Sequence, residues 1–144
     1  MKKKIIIIIL LILIILLSFY SIIKYDKKGF YTIKGDNIVT IEKIVGNRNL
    51  AKKKISYKNS LLNKTYEYKN IKDPYTDLSL YIKELKNKSN FLITKKYDLN
   101  KEKDTISLTR YSTNKEYIII MTINYNKDSY SINIVKGKGT ITTP

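Results

Sequence analysis

The residue types that could carry chemistry in this chain are carboxylates, lysines and hydroxyls. The 144-residue sequence contains no histidine and no cysteine. These absences exclude a Ser-His or Cys-His nucleophile, an imidazole or thiolate metal site, a disulfide and a lipid anchor on cysteine. Catalysis would therefore need a carboxylate pair or a serine activated by lysine. The remaining option is a protein that binds without catalysis.

Ser112 and Lys115 have the S-x-x-K spacing of Ser-Lys hydrolases. In such enzymes the two residues lie one turn apart on a helix, whereas this match falls in a predicted hairpin turn. The companion S-D-N and K-T-G sequences are absent, and Ser21 and Lys24 repeat the pattern at the end of an apolar run. Chance explains both matches, so a Ser-Lys hydrolase is a minor alternative and the chain is expected not to be an enzyme.

The carboxylates offer no better site. They are scattered among lysines, and the best placed of them, Asp73, is expected to cap a helix. A calcium loop from Asp98 to Asp104 would lack the turn glycine and would contain two lysines. No catalytic, cofactor-binding or metal-binding residue is therefore predicted.

Positive charge is the strongest chemical feature of the chain. Lys and Arg number 28 against 12 Asp and Glu, a formal net charge of +16. Lysine and isoleucine have A/T-rich codons, so drift in an A/T-rich genome accounts for part of this excess. The one dense cluster is Lys52, Lys53 and Lys54, which we expect to make the contacts if a polyanion is bound. Lysines beside tyrosines are also typical of single-stranded nucleic-acid grooves. An exported domain, however, would meet anionic lipid or wall polymer rather than nucleic acid.

Location follows from an uncharged run from Ile5 to Ile23, which is preceded by three lysines. A helix of this length spans about 28 Å, close to the roughly 30 Å hydrocarbon core of a bilayer. A cleaved signal peptide needs small residues two apart near its cleavage site, and Ser18 and Ser21 are three apart. We therefore predict an uncleaved signal anchor that holds the chain in the lipid bilayer of the cell membrane.

Domain boundaries follow from this anchor. Residues 1–4 are predicted to form a cytoplasmic basic tail, residues 5–23 the transmembrane helix, residues 24–37 a polar juxtamembrane linker and residues 38–144 one extracytoplasmic domain. The lysines on the two sides of the run do not decide the orientation. A basic segment followed by an apolar one is the order of an export signal. The N terminus is therefore placed in a bacterial cytoplasm.

One amphipathic helix is well specified, from about Pro74 to Asn87. Asp73 is a favourable N-cap, and Pro74 suits the first helical position because its missing N–H costs no hydrogen bond there. Apolar side chains then recur at intervals of three and four residues: Leu78, Tyr81, Ile82 and Leu85. Such a stripe predicts that the helix packs on a sheet.

After the helix, apolar and polar residues alternate with the period of β-strands. Four runs separated by short polar turns predict an antiparallel four-stranded meander: 91–97, 105–109, 117–125 and 130–134. Residues 38–72 are ambiguous, and their best pattern is a hairpin of residues 54–57 and 65–68. The predicted fold class is α+β. An N-terminal transmembrane helix precedes a small domain in which one helix packs on a mainly antiparallel sheet, the meander plus an extra strand or hairpin.

Two functions remain open for this membrane-anchored, non-catalytic domain. The first is a protein-interaction module that binds another envelope protein through a sheet edge or the exposed side of the helix. The second is a tether or sensor for anionic lipid or wall polymer. We prefer the first, because outside Lys52–Lys54 the charges alternate along strands as on solvated faces. Diffuse charge of that kind is screened beyond about 8 Å at physiological salt.

Overall fold

The computed structural model describes residues 2–142, apart from the side chains of residues 2, 3, 22 and 23. Met1 of the predicted basic tail and residues 143 and 144 of the predicted domain lie outside this range. The elements in chain order are α1 (Lys2–Lys24), β1 (Phe30–Ile33), β2 (Asp36–Val39), α2 (Ile41–Val45), β3 (Leu50–Lys58), β4 (Leu61–Tyr68), α3 (Pro74–Lys88), β5 (Leu92–Lys95), β6 (Asp104–Tyr111), β7 (Ile118–Tyr125) and β8 (Tyr130–Gly137). The predicted α+β class, with an apolar N-terminal helix before the domain, is confirmed.

α1 is an apolar helix whose side chains are not buried by the domain. From Ile5 to Leu17 each side chain is at least 51% exposed. The hydroxyls of Ser18 and Ser21 donate to the carbonyls of Ile15 and Leu17 within the helix, which satisfies them without water. The segment Lys4–Ser21 is long and apolar enough to cross a membrane, and a signal sequence has the same properties.

Six strands form one antiparallel sheet in the order β3-β4-β8-β7-β6-β5. β5 to β8 are neighbours in chain order, as the alternating runs predict, and β7 lies inside the sheet. β3 and β4 form a hairpin closed by Asn59 and Ser60, and β4 joins this hairpin to β8. Asn59 and Ser60 have φ angles of 50° and 62°, which a two-residue hairpin turn of type I′ requires.

α3 packs on one face of this sheet, called here the inner face. Its stripe residues Leu78, Tyr81, Ile82 and Leu85 are at most 3% exposed. The helix begins as predicted, because the Asp73 carboxylate accepts a hydrogen bond from the Thr76 N–H at 3.1 Å. It ends one residue beyond the predicted Asn87. The stripe and the alternate residues of β4, β6, β7 and β8 form a single core.

The segment predicted as a linker differs in the structure, since part of it folds into the domain. β1 and β2 form a hairpin that turns at Lys34 and Gly35, with φ angles of 42° and 86°. Tyr31 and Ile33 are at most 2% exposed, and the Tyr31 hydroxyl lies 2.7 Å from that of Tyr68 in the sheet. Two four-residue strands around a Lys-Gly turn have too little alternation to be distinguished from a polar linker by sequence.

Candidate interaction surface

The sheet has an outer face, opposite α3, that carries the alternate residues of every strand. Apolar side chains gather at one end of this face. We call the following residues the outer patch: Leu61, Leu92, Tyr111, Ile118, Ile120 and Val135. Tyr111 and Leu92 are about half exposed, at 51% and 48%, and Leu61 and Ile120 are each 36% exposed.

Strand register places the residues of the outer patch on neighbouring strands. Ile118 lies opposite Tyr111 on one side and Gly137 on the other, and Ile120 lies opposite Thr109 and Val135. Leu61 covers Gly137, since a Cβ on that glycine would lie 3.2 Å from a Leu61 methyl carbon. The absence of a side chain at Gly137 therefore leaves room for Leu61 over β8. Ile118, on the other side of Gly137, is only 6% exposed, because the chain after β8 lies on it: a Cβ on Gly139 would be 2.7 Å from an Ile118 methyl carbon.

Polar side chains lie beside the outer patch on the rest of the outer face. Asn133 donates to the Thr65 hydroxyl at 2.7 Å, and the Thr105 hydroxyl donates to Asn124 at 2.8 Å. Thr122 lies between Ser107 and Asn133 in the ladder. An apolar centre with a hydrogen-bonding rim is the composition typical of protein interfaces.

The predicted polyanion contacts Lys52, Lys53 and Lys54 are divided between the two faces of β3. Lys53 lies on the inner side, where its Nζ is 2.6 Å from the Asp26 carboxylate and donates to the Lys24 carbonyl. Lys54 lies on the outer side, 3.1 Å from Glu67. Lys52 is opposite Glu67 in the ladder. The three side chains thus do not form one cluster, as the period of two in a strand requires, and their role in polyanion binding stays a prediction.

Asp26 joins the end of α1 to the sheet. Its carboxylate accepts hydrogen bonds from Lys53, from Lys64 at 3.0 Å and from the Tyr66 hydroxyl at 2.8 Å. Burial raises the pKa of this carboxyl, but the hydrogen bonds from Lys53, Lys64, Tyr66 and the Thr32 N–H outweigh it and lower the pKa overall. Lys64 is 2% exposed, and burial lowers its pKa despite the opposing effect of Asp26.

Asp36 ties the β1–β2 hairpin to the end of the sheet that carries Tyr111. The carboxylate is 1% exposed and accepts from Lys136 at 2.7 Å. It also accepts from the N–H and hydroxyl of Thr113, at 2.9 and 2.8 Å. Burial raises the pKa of this carboxyl, but the hydrogen bonds from Lys136 and Thr113 lower it by more, so that the net shift is downward. These contacts hold the loop that follows Tyr111 at the end of β6.

Ser112 and Lys115, the predicted Ser-Lys pair, lie in the turn between β6 and β7. Ser112 is 3% exposed, and its hydroxyl donates to the Asn114 side chain. Lys115 has a φ of 60°, and its N–H donates to the Ser112 carbonyl at 3.0 Å. The pair therefore occupies a tight turn, whereas the hydrolase arrangement has one turn of helix between the two side chains.

The loop from Asp98 to Asp104 uses its carboxylates to hold backbone. Asp98 accepts from the Asn100 N–H at 2.9 Å, and Asp104 accepts from the Thr105 N–H at 2.7 Å. Within residues 2–142, no three acidic side chains converge as metal ligands would.

The roles of Asp26 and Asp36 cannot be recognised in the sequence, because their partners are distant in the chain. The outer patch leaves one signal in the sequence. The third strand run is apolar on both faces, at Ile119 and Met121 and again at Ile118 and Ile120. A second apolar face on one strand indicates that something covers it or binds it.

Comparison with known proteins gives no family: no protein-family model, no curated protein and no solved structure matches this chain.

Proposed function

We propose that this chain is a signal-anchored membrane protein whose extracytoplasmic domain is a protein-interaction module, and that it binds another envelope protein through the outer patch. The observation that carries this proposal is the exposed apolar surface of the outer patch. Its exposed members Leu61, Leu92, Tyr111 and Ile120 come from four different strands, and each is at least 36% exposed. Contiguous apolar surface with a polar rim is unfavourable in water unless a partner covers it.

Retention of α1 is part of this proposal. The apolar side chains of residues 4–21 in α1 are not buried by the rest of the described chain. A bilayer would bury them. Asp26 follows the helix by two residues and bonds to Lys53 and Lys64 in the sheet. The chain thus enters the domain directly after the helix, which supports an anchor that holds the sheet at the membrane surface.

A partner different from this chain is favoured over a second copy. Two copies of residues 24–144, in which 25 Lys and Arg outnumber 12 Asp and Glu, repel each other at short range. A membrane partner would meet the domain at high effective concentration, because both are confined to the same surface.

The outer patch is tested by site-specific photocrosslinking in native membranes. A photoreactive amino acid at Ile120 or Tyr111 should give one discrete heavier species, because these side chains would be in contact with the partner. The same amino acid at Lys83, on the solvent side of α3, is the matched control and should give none. An Ile120→Lys variant should lose the adduct formed from Tyr111. Equal crosslinking from Ile120 and Lys83 would contradict the proposal.

Anchor retention is tested by the intact mass of the protein recovered from membranes. The full chain should require detergent for its release. A species that begins between about residue 22 and residue 30, released without detergent, would show that the helix is a cleaved signal sequence.

The runner-up proposal is a tether for anionic lipid or wall polymer, favoured by the net charge of +16. Its test uses the full chain in zwitterionic nanodiscs, with purified wall polymer or anionic vesicles added at about 150 mM salt. Lys52→Gln combined with Lys54→Gln is the suitable variant, because Lys53→Gln would also break the Asp26 contacts. Saturable binding that this double variant abolishes would place the tether first.

A further inference from the structure

We infer that the edge strand β3 binds an extended acidic segment of a partner protein, which adds to the sheet as a further antiparallel or parallel strand. This inference rests on the proposed function as an interaction module, but it uses a surface other than the outer patch. The outer patch is a side-chain surface. The β3 edge is a row of backbone groups.

β3 is the longer and less protected of the two sheet edges. It has nine residues, of which only Lys53 and Ile55 are partly buried. The opposite edge, β5, has four residues and a register irregularity between Ile93 and Lys95. β3 has an irregularity of its own between Leu50 and Lys52, but its register is regular over the seven residues from Lys52 to Lys58. Short, bulged edges resist strand addition, whereas long regular edges permit it.

The hairpin register shows which backbone groups of β3 are free. In a hairpin with a two-residue turn, the residues that flank the turn exchange both hydrogen bonds, and bonded pairs then recur at every second residue. Lys58, Ser56 and Lys54 therefore bond to β4, where they lie opposite Leu61, Asn63 and Thr65. The N–H and C=O groups of Tyr57, Ile55 and Lys53 point away from β4.

No hydrogen bond within residues 2–142 uses those outward groups. Two backbone hydrogen bonds near this edge lie outside the ladder. The Leu50 N–H donates to the Arg48 carbonyl and the Lys69 N–H donates to the Asn49 carbonyl, both at the start of β3. The Lys53 side chain bonds on the inner face, which leaves its backbone free. The edge thus presents alternate donors and acceptors to an added strand.

The side chains of β3 define the chemistry of the partner. Lys52, Lys54 and Lys58 project on the outer side, and the one carboxylate opposite them in β4 is Glu67. On the inner side, Tyr57 is 59% exposed and Ile55 is partly buried. A complementary strand therefore carries acidic residues on its outer side and apolar residues on its inner side, in alternation.

The same lysines exclude other occupants. A second copy of β3 would place lysine opposite or diagonal to lysine, which is destabilising in a sheet. A neutral strand would leave the surplus positive charge unpaired. Edge lysines thus prevent indiscriminate pairing and still admit an acidic segment.

The test uses the full chain in zwitterionic nanodiscs and a short fluorescent peptide in which Glu alternates with Val. We expect saturable binding at about 150 mM salt, and weaker binding of a peptide of the same composition with its Glu and Val residues in separate blocks. Tyr57→Pro removes one outward N–H and leaves the β4 ladder intact, so it should weaken binding about tenfold relative to Tyr57→Ala. Equal affinity for the two peptides, or equal affinity of the two variants, would overturn the inference.

Amide hydrogen exchange on the unmodified chain decides the question if Tyr57→Pro does not fold. Bound peptide should slow exchange at Lys53, Ile55 and Tyr57, and should change little at Lys54, Ser56 and Lys58, which already bond to β4. Uniform or absent protection would overturn the inference. Photocrosslinking from Ile120 reports separately on the outer patch: if it persists while the peptide fails to bind, the β3 inference is wrong and the proposed function stands.

Discussion

Buried and partly buried carboxylates join parts of this molecule that are far apart in the chain. Asp26 bonds to Lys64, Asp36 bonds to Lys136, and Asp77 bonds to Arg48 through two contacts of 2.6 Å. A buried charge is tolerated only when it is paired, and loss of one partner leaves the other uncompensated. Single substitutions at these positions should therefore affect stability more than substitutions at exposed ion pairs.

Asp26→Asn should lower the free energy of unfolding by about 2–4 kcal/mol, because it leaves the Lys64 ammonium buried without a counter-charge. Glu102→Gln is the matched control. It breaks the Lys127–Glu102 pair, whose side chains are 68% and 75% exposed, and should cost at most about 1 kcal/mol. Urea denaturation of the detergent-solubilised chain measures both. Similar losses for the two variants would argue against a structural role for Asp26.

Stability should fall in acid, because the pKa of Asp26 and of Asp36 is lowered in the folded chain. In the unfolded chain an aspartate has a pKa of about 3.9. As the pH falls, the unfolded state therefore binds protons before the folded state does. The stabilisation from these carboxylates is complete above the unfolded pKa and is lost as the pH falls through the folded pKa. Urea midpoints from about pH 6 to about pH 2 should show this loss. Asp36→Asn should flatten the acid limb, and an unchanged slope would contradict the assignment.

The β3–β4 hairpin turns on a sequence that is not the most favourable one for its geometry. Ser60 has a φ of 62°, in the left-handed region that costs an L side chain roughly 1 kcal/mol. Type I′ turns prefer Asn-Gly, and this turn is Asn-Ser. The hairpin is held by its ladder to β8 as well as by its turn.

Ser60→Gly should stabilise the chain by about 0.5 kcal/mol, because glycine has no steric strain in the left-handed region. The greater conformational freedom of glycine in the unfolded state offsets part of this stabilisation. Ser60→Val should destabilise it, since a β-branched residue is strained at positive φ. Thermal unfolding of the two variants provides the measurement. A shift of the same sign in both would mean that the turn geometry differs from type I′.

The whole molecule depends on the contact between α3 and the inner face of the sheet. Leu78→Ala should cost about 2–5 kcal/mol, because Leu78 is fully buried at 0% exposure. Leu80→Ala, two residues along the same helix, should cost less than about 1 kcal/mol, because Leu80 is 47% exposed. Denaturant unfolding distinguishes the two, and comparable losses would show that the solvent side of α3 is also packed.

Local signals in the sequence determined α1, α3 and the strands of the meander, β5 to β8. Asp73 and Pro74 fix the start of α3 because capping and the φ of proline act within one turn. The alternation around Ile119, Met121 and Ile123 fixes β7 because a strand buries every second residue. The run from Ile5 to Ile23 gave the apolar helix from length and composition alone.

Tertiary structure alone decided how these elements are joined. The pairing of β4 with β8 sets Thr65 opposite Asn133, and no local pattern encodes a contact over such a separation. The β1–β2 hairpin is stable because Tyr31 packs on the sheet and Asp36 meets Lys136, partners that only the folded chain brings together. The outer patch and the free β3 edge arise in the same way. Exposure is a property of the assembled sheet, because it depends on which face α3 covers and which strand is last.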